Sequence, residues 1–247
     1  LKNMGVKFTT NKELGKDIKL NELRENFDAI FLGIGAEIPS TYKINDFKTI
    51  YDSDYFLKAY NRHEYIENLG DVVVIGGGNV AMDSARAAIK MNAKSVSILY
   101  RRDLEHMPAR EIELKEAIED GVKPIFTTRV ISAEGTNGKM KKVRCIQTKV
   151  IDGKAIDIPN TEFDYKANSV IFAIGLKPNK KVLEEEKLAY NERGLIEIDE
   201  NCQTNIARVY AGGDLVETKS TVCRAIASSR KAAISIMKMF KKGEDNV

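Results

Sequence analysis

A five-residue apolar run that empties into three glycines constrains this chain more than any other feature. Asp71-Val72-Val73-Val74-Ile75 is β-branched and unbroken, the pattern of a strand buried on both faces of a parallel sheet. Gly76-Gly77-Gly78-Asn79-Val80-Ala81 follows at once and fits G-x-G-x-x-A on Gly76, Gly78 and Ala81. Residues 82–91 then read as a helix, with small side chains at Ala81, Ala85 and Ala88 that let it lie close to a sheet. Residues 95–100 read as a second apolar strand. Strand, glycine turn, helix and strand within about thirty residues are the setting in which a glycine pattern becomes a dinucleotide fingerprint. Gly76 permits the tight turn and Gly78 lets backbone approach a pyrophosphate. The helix start offers free N–H groups and the positive end of its dipole.

The end of the second strand bears on which nucleotide is held. An NAD site places Asp or Glu there to hold the ribose 2′-hydroxyl. Here the strand ends in Tyr100-Arg101-Arg102, and two guanidinium groups suit a 2′-phosphate. NADP(H) is therefore expected over NAD, with Asp103 falling past the strand tip.

Composition removes several alternatives. The formal net charge is +3 with the lysines spread along the chain, which gives no case for nucleic acid or a membrane surface as partner. The three cysteines, Cys145, Cys202 and Cys223, form no CxxC pair and no zinc or iron–sulfur spacing, so no metal site is expected. Reduced thiols fit a cytoplasmic chain. The two histidines, His63 and His106, suggest no hydrolytic triad.

On either side the chain alternates strands and helices. Residues 29–35 form an apolar strand running into Gly35 and Ala36, and residues 169–175 repeat that shape, ending on Gly175. Further strands are expected at 5–8, 122–126, 143–150 and 194–198, and one over 209–211 that closes on Gly212-Gly213-Asp214. Helices are expected at 21–26 with Asn21 as cap, at 54–61, at 111–120, and at 221–240 with Thr221 as cap. A polar connection over 37–70 reads as a crossing between domains.

With these residues in hand, the chain resembles a known family: the small (β) subunit of glutamate synthase, an NADPH-dependent flavoprotein oxidoreductase. The reductase half of dihydropyrimidine dehydrogenase and the large subunit of NADH-dependent ferredoxin:NADP oxidoreductase are related to it. Leu14-Gly15-Lys16-Asp17-Ile18, the stretch 27–36, Val74 to Asp83, Tyr100-Arg101-Arg102, Met107-Pro108-Ala109-Arg110, Ala173-Ile174-Gly175, 209–214, Thr221-Val222 and Ala225-Ile226 carry the resemblance in order. The family pattern has further segments before its counterpart of Leu1: a cysteine-rich iron–sulfur domain and a βαβ unit with its own GxGxxG for FAD. This chain also has Glu217-Thr218-Lys219 and Ser229 where that pattern has glycines.

The resemblance implies an α/β, Rossmann-like FAD/NAD(P)-binding fold, with an NADP(H) domain at 58–175 inserted in an incomplete FAD domain made of 1–57 and 176–247. It implies hydride transfer from NADPH to FAD and onward electron transfer to iron–sulfur clusters, with no catalytic side chain. It implies that Gly76, Gly77, Gly78, Asn79 and Val80 hold the pyrophosphate, that Arg101 and Arg102 hold the 2′-phosphate, and that Arg110 and Gly175 flank the nucleotide. Gly35, Ala36, Gly213, Asp214, Thr221 and Val222 belong to the distal part of the FAD site, so the 247 residues alone are expected to hold FAD weakly or not at all. The implied partner is the large glutamate synthase subunit or another electron-accepting subunit. An electron-bifurcating or selenate-reductase-like relative and a non-catalytic nucleotide-binding module are the alternatives.

Overall fold

A computed structural model describes residues 1–64, 66–217 and 221–244, with side chains to 241. The chain forms two compact units, Leu1–Ile38 with Leu176–Val247, and Pro39–Gly175. In chain order the elements are α1 (Leu20–Asn26), β1 (Ile30–Leu32), β2 (Ile38–Pro39), β3 (Ile50–Asp52), α2 (Ser53–Asn61), β4 (Asp71–Ile75), α3 (Asn79–Lys90), β5 (Ser95–Leu99), α4 (Glu111–Glu119) and β6 (Lys123–Ile125). There follow β7 (Thr128–Thr136), β8 (Lys139–Ile151), β9 (Lys154–Asp157), β10 (Phe163–Lys166), β11 (Ser169–Phe172), β12 (Leu176–Lys177), α5 (Lys180–Glu185), β13 (Val209–Ala211) and α6 (Val222–Glu244).

The central unit is built on a five-stranded, all-parallel sheet in the order β3-β11-β4-β5-β6. Side chains alternate across β4. Val72 and Val74 meet α2 and α3 through Phe56, Ala81, Met82, Ala85 and Ala88. Val73 and Ile75 face the opposite way, into Val130, Ala133, Met140, Val143 and Cys145. The second face is therefore covered by an antiparallel sheet, β10-β8-β7 with β9 on β8, instead of by helices. Both faces of β4 are buried, which is why it reads as continuous valine and isoleucine. The alanine face of α3 is fully buried, as its small side chains require for close packing on the sheet.

In the other unit, β1 and β13 pair in parallel, Ile30 with Val209 and Leu32 with Ala211. Its core joins Leu20, Ile30, Leu32, Leu183, Leu188, Val209 and Leu215.

The structure is of the Rossmann-like class expected. It differs in detail at several places. The unit division falls at residues 38 and 39, not 57, because β3 and α2 pack with the central sheet. Residues 5–8 and 194–198 form no strand; the second stretch makes only an isolated bridge from Ile196 to Tyr190. Helix α1 starts at Leu20 with Lys19 as its cap residue. Glu22 accepts from the Lys19 backbone N–H, and buried Glu186 from that of Leu20. Among the described residues no helix is long and apolar enough to cross a membrane.

Candidate nucleotide-binding site

The three glycines after β4 are glycine for different reasons. Gly76 has a φ of 152°, and a Cβ there would lie 2.2 Å from the carbonyl oxygen of Ala173, just past β11. A Cβ on Gly77 would lie 2.5 Å from two ring carbons of Tyr100. Gly78 has φ −93° and ψ 176°, a conformation open to any residue, and no protein atom lies within 4 Å of where its Cβ would stand. The packing of the unit dictates the first two glycines and leaves open space in front of the third.

That space is lined by donors. Among the described residues, the backbone N–H groups of Gly77, Gly78, Asn79 and Val80 have no protein acceptor. The Gly78 carbonyl opens α3 by accepting from Ala81 (2.9 Å) and Met82 (3.3 Å), and no side chain caps the helix. A row of free donors at the positive end of a 12-residue helix is suited to an anion.

The Arg pair divides its work. Arg102 is half-buried. Its Nε donates to the Tyr100 hydroxyl at 2.8 Å, its guanidinium sits 5.6 Å from the Tyr100 ring centroid, and Nη1 reaches the Gly153 carbonyl in the β8–β9 turn at 3.4 Å. Arg101 is exposed, its carbonyl accepting from the Thr148 hydroxyl at 2.7 Å, and its guanidinium enters none of the ion pairs among the described residues. The Tyr100 hydroxyl in turn donates to the carbonyl of His106 at 2.7 Å. Burial pushes the Tyr100 phenol above its ordinary pKa, Arg102 and Arg101 pull it down, and Asp103 pushes it up.

The loop after the Arg pair is latched to the glycine turn. The Ala109 N–H donates to the Gly77 carbonyl, and the Arg110 N–H to the Asn79 side-chain oxygen, both at 3.0 Å. Asn79 thus serves the loop through its side chain while its backbone N–H remains open. Arg110 is the cap residue of α4, and its guanidinium pairs with Glu113. Gly175 (φ 103°) closes the unit, its carbonyl accepting from Ser40. It is Ala173, two residues earlier, that touches the glycine turn. Sequence reasoning missed the parts played by Tyr100, Ala109 and Ala173, although all three stand inside segments that carried the resemblance.

The other unit gathers a second set. Because β1 and β13 are in parallel register, their ends lie side by side, and the Gly212 N–H donates to the Leu32 carbonyl at 3.3 Å. Gly35 (φ 67°) and Ala36 follow β1; Gly213 (φ 69°) and half-buried Asp214 follow β13. The Gly213 N–H is taken by the Ser228 hydroxyl of α6 at 2.8 Å. The Thr221 hydroxyl caps α6 by accepting from the Arg224 N–H at 3.4 Å, next to exposed Val222. Thr218 and Lys219 lie outside the described residues.

Comparison with known proteins gives the family and the fold. The family model for pyridine nucleotide-disulphide oxidoreductase matches residues 1–233. The glutamate synthase [NADPH] small chain of Escherichia coli (strain K12) is 32% identical over 259 residues, 95% of this chain and 55% of its own length. The NADP(+)-dependent formate dehydrogenase subunit beta of Moorella thermoacetica is 30% identical over 255 residues, 98% of this chain and 36% of its own. The chain thus spans about half, or less, of the length of these relatives. Among solved structures, Mycobacterium tuberculosis FprA in complex with NADPH superposes with a TM-score of 0.80 at 17% identity, over 96% of this chain and 69% of that one. T. acidophilum thioredoxin reductase follows at 0.63 and 21%, over 84% and 64%; at these identities both speak to the fold. The family match runs through both units and takes in every glycine turn described above, and by it the chain belongs to the pyridine nucleotide-disulphide oxidoreductase family.

Proposed function

We propose that this chain is the NADPH-oxidising part of a flavoprotein oxidoreductase of the glutamate-synthase small-subunit type. The observation that carries the reading is Gly78, a glycine with no internal reason to be one, facing open space lined by four unpaired N–H donors. The pyrophosphate of NADP(H) fits that cradle, held by Gly77, Gly78, Asn79 and Val80. Arg101 stands ready for the 2′-phosphate, while Arg102 fixes Tyr100 and, through it, the loop that bears Arg110. The strand ends at Gly35-Ala36 and Gly213-Asp214 and the start of α6 fit the distal part of a FAD site, with Asp214 as acceptor for a flavin hydroxyl.

Bound together, the nicotinamide supplies a hydride and the flavin accepts it. No side chain is asked to act as acid or base; this chain binds and orients the nucleotide. The names of the relatives, NADPH in one and NADP(+) in the other, support the nucleotide. Those names, a small chain and a subunit beta, also support work beside a partner subunit; passage of the electrons on to iron–sulfur clusters is part of what we propose. The formate dehydrogenase relation favours a second reading in which the same nucleotide half serves a different acceptor.

The test is calorimetric titration of the chain with NADPH, with 2′,5′-ADP and 5′-AMP as competitors. We expect competition by 2′,5′-ADP far above that by 5′-AMP. Absence of NADPH binding, or equal competition, overturns the reading.

A further inference from the structure

An aspartate two residues beyond Arg101 is a difficulty for a 2′-phosphate site. Its carboxylate is free to pair with the guanidinium, to repel the phosphate, or to accept from a ribose 2′-hydroxyl as the acid of an NAD site does. The structure pairs it with His106 instead. One oxygen of Asp103, Oδ1, accepts from the His106 backbone N–H at 3.1 Å and meets His106 Nδ1 at 2.6 Å. A carboxylate oxygen can only accept, so Nδ1 is the donor in that contact. The backbone at His106 is itself held: its carbonyl accepts from the Tyr100 hydroxyl, which is fixed by Arg102. The imidazole lies beside the β8–β9 turn at Gly153. The rest of the loop is latched to the glycine turn through Ala109 and Arg110.

The backbone bond alone would make an ordinary Asx turn, which needs no particular residue at 106. The second donor, on a residue whose backbone is fixed through Tyr100, does more than close a turn. We infer that His106 is a specificity-positioning residue: it holds the Asp103 carboxylate away from Arg101, so that this loop favours the phosphorylated nucleotide, NADPH, over NADH. The inference rests on the nucleotide reading above and adds to it the device that sets the preference. It also accounts for a carboxylate following directly on an Arg pair.

The experiment is calorimetry of the chain with NADPH and with NADH, for the wild type and for His106→Ala, His106→Asn, His106→Ala with Asp103→Asn, and Arg101→Ala. A carboxylate released to within several ångströms of the phosphate in high dielectric should lower the NADPH-over-NADH preference about fivefold in His106→Ala. Asparagine places an N–H donor where Nδ1 stands, so His106→Asn should keep the preference. Removing the charge as well, in His106→Ala with Asp103→Asn, should restore it, a rescue that a merely structural histidine would not show. Circular dichroism of each variant identifies any that fails to fold, and His106→Phe, which keeps a flat ring and lacks the donor, replaces His106→Ala in both single and double variants if His106→Ala is one of them. A folded His106→Ala that keeps the full preference, while Arg101→Ala loses it, overturns the role of His106 and leaves the nucleotide site standing. Loss of preference that Asp103→Asn does not restore overturns it too. A wild type with no preference, or one indifferent to Arg101, overturns both readings.

Discussion

Replacing Gly78 by valine separates a binding turn from a structural one. The valine Cβ enters space that holds no protein atom within 4 Å, at a φ of −93° and ψ of 176° that suit a β-branched residue. Two small effects on stability oppose each other. Loss of unfolded-chain freedom favours the variant by about 0.4–1 kcal/mol, and an apolar helix cap costs about 1 kcal/mol. The sum lies within about 1 kcal/mol of zero, which moves the unfolding midpoint by about 2–4 °C at most.

Binding should respond on another scale. The valine methyls occupy the space in front of the Gly77 to Val80 N–H groups. Two lost charge-assisted bonds at about 1.5–3 kcal/mol each weaken NADPH by roughly two to four orders of magnitude. Gly76→Ala and Gly77→Ala are the contrast. Each drives a Cβ inside 3 Å of the Ala173 carbonyl or the Tyr100 ring, and should cost about 2 kcal/mol or more in stability. Thermal unfolding followed by circular dichroism, with calorimetry on the folded variants, measures both quantities. A folded Gly78→Val chain that binds NADPH within threefold of wild type would refute the reasoning, and the glycine at 78 would then need a different explanation.

Three further outcomes follow from described contacts. Arg101→Ala should cost about 1.5–3 kcal/mol of NADPH binding and leave the melting temperature unchanged, whereas Arg102→Ala should lower both, since it also fixes Tyr100; identical behaviour of the two in melting experiments would contradict the division. Lys166, 2.8 Å away, and the Ser95 hydroxyl hold the Asp71 carboxyl below its usual 3.8. A depressed carboxyl contributes stability above its unfolded value and loses it as pH falls through its lowered folded value, so wild type should melt above Asp71→Asn at neutral pH, and the gap should narrow as pH falls below 3.8; a gap independent of pH would refute this. Burial pushes the Cys145 thiol up to about 12, and Cys202 is also buried, so a thiol reagent at mildly alkaline pH should label exposed Cys223 in the native chain and reach the other two only on unfolding, as peptide mapping would show.

The parts of the fold that were legible share one property: their side chains alone determine their environment. β4 carries apolar side chains on both faces, and the alanines of α3 can serve little but close packing, so strand, turn and helix could be read directly. β7 could not. Its register shifts between Val130 and Ser132 and again between Glu134 and Gly135, which breaks the two-residue alternation that reveals a strand. β3 is three half-buried residues in a polar stretch, and only its pairing with β11 makes it a strand. Conversely, residues 194–198 alternate well but lack a partner ladder. At the candidate site the glycines and the Arg pair were visible as residue types. That Arg102 fixes Tyr100 while Arg101 stays exposed depends on where the β8–β9 turn falls, which local pattern does not encode.

The nested order of the two units has a consequence for synthesis. Pro39–Gly175 is one uninterrupted stretch, and its sheet can close as soon as β11 leaves the ribosome. β1, made much earlier, must wait for β13 before Ile30 can pair with Val209. Until then residues 1–38 expose an apolar strand with no ladder to join. Arrest of translation once Gly175 has cleared the ribosome should therefore yield a protease-resistant central unit with residues 1–38 still cleavable, and resistance of those residues should appear only once α6 has been made.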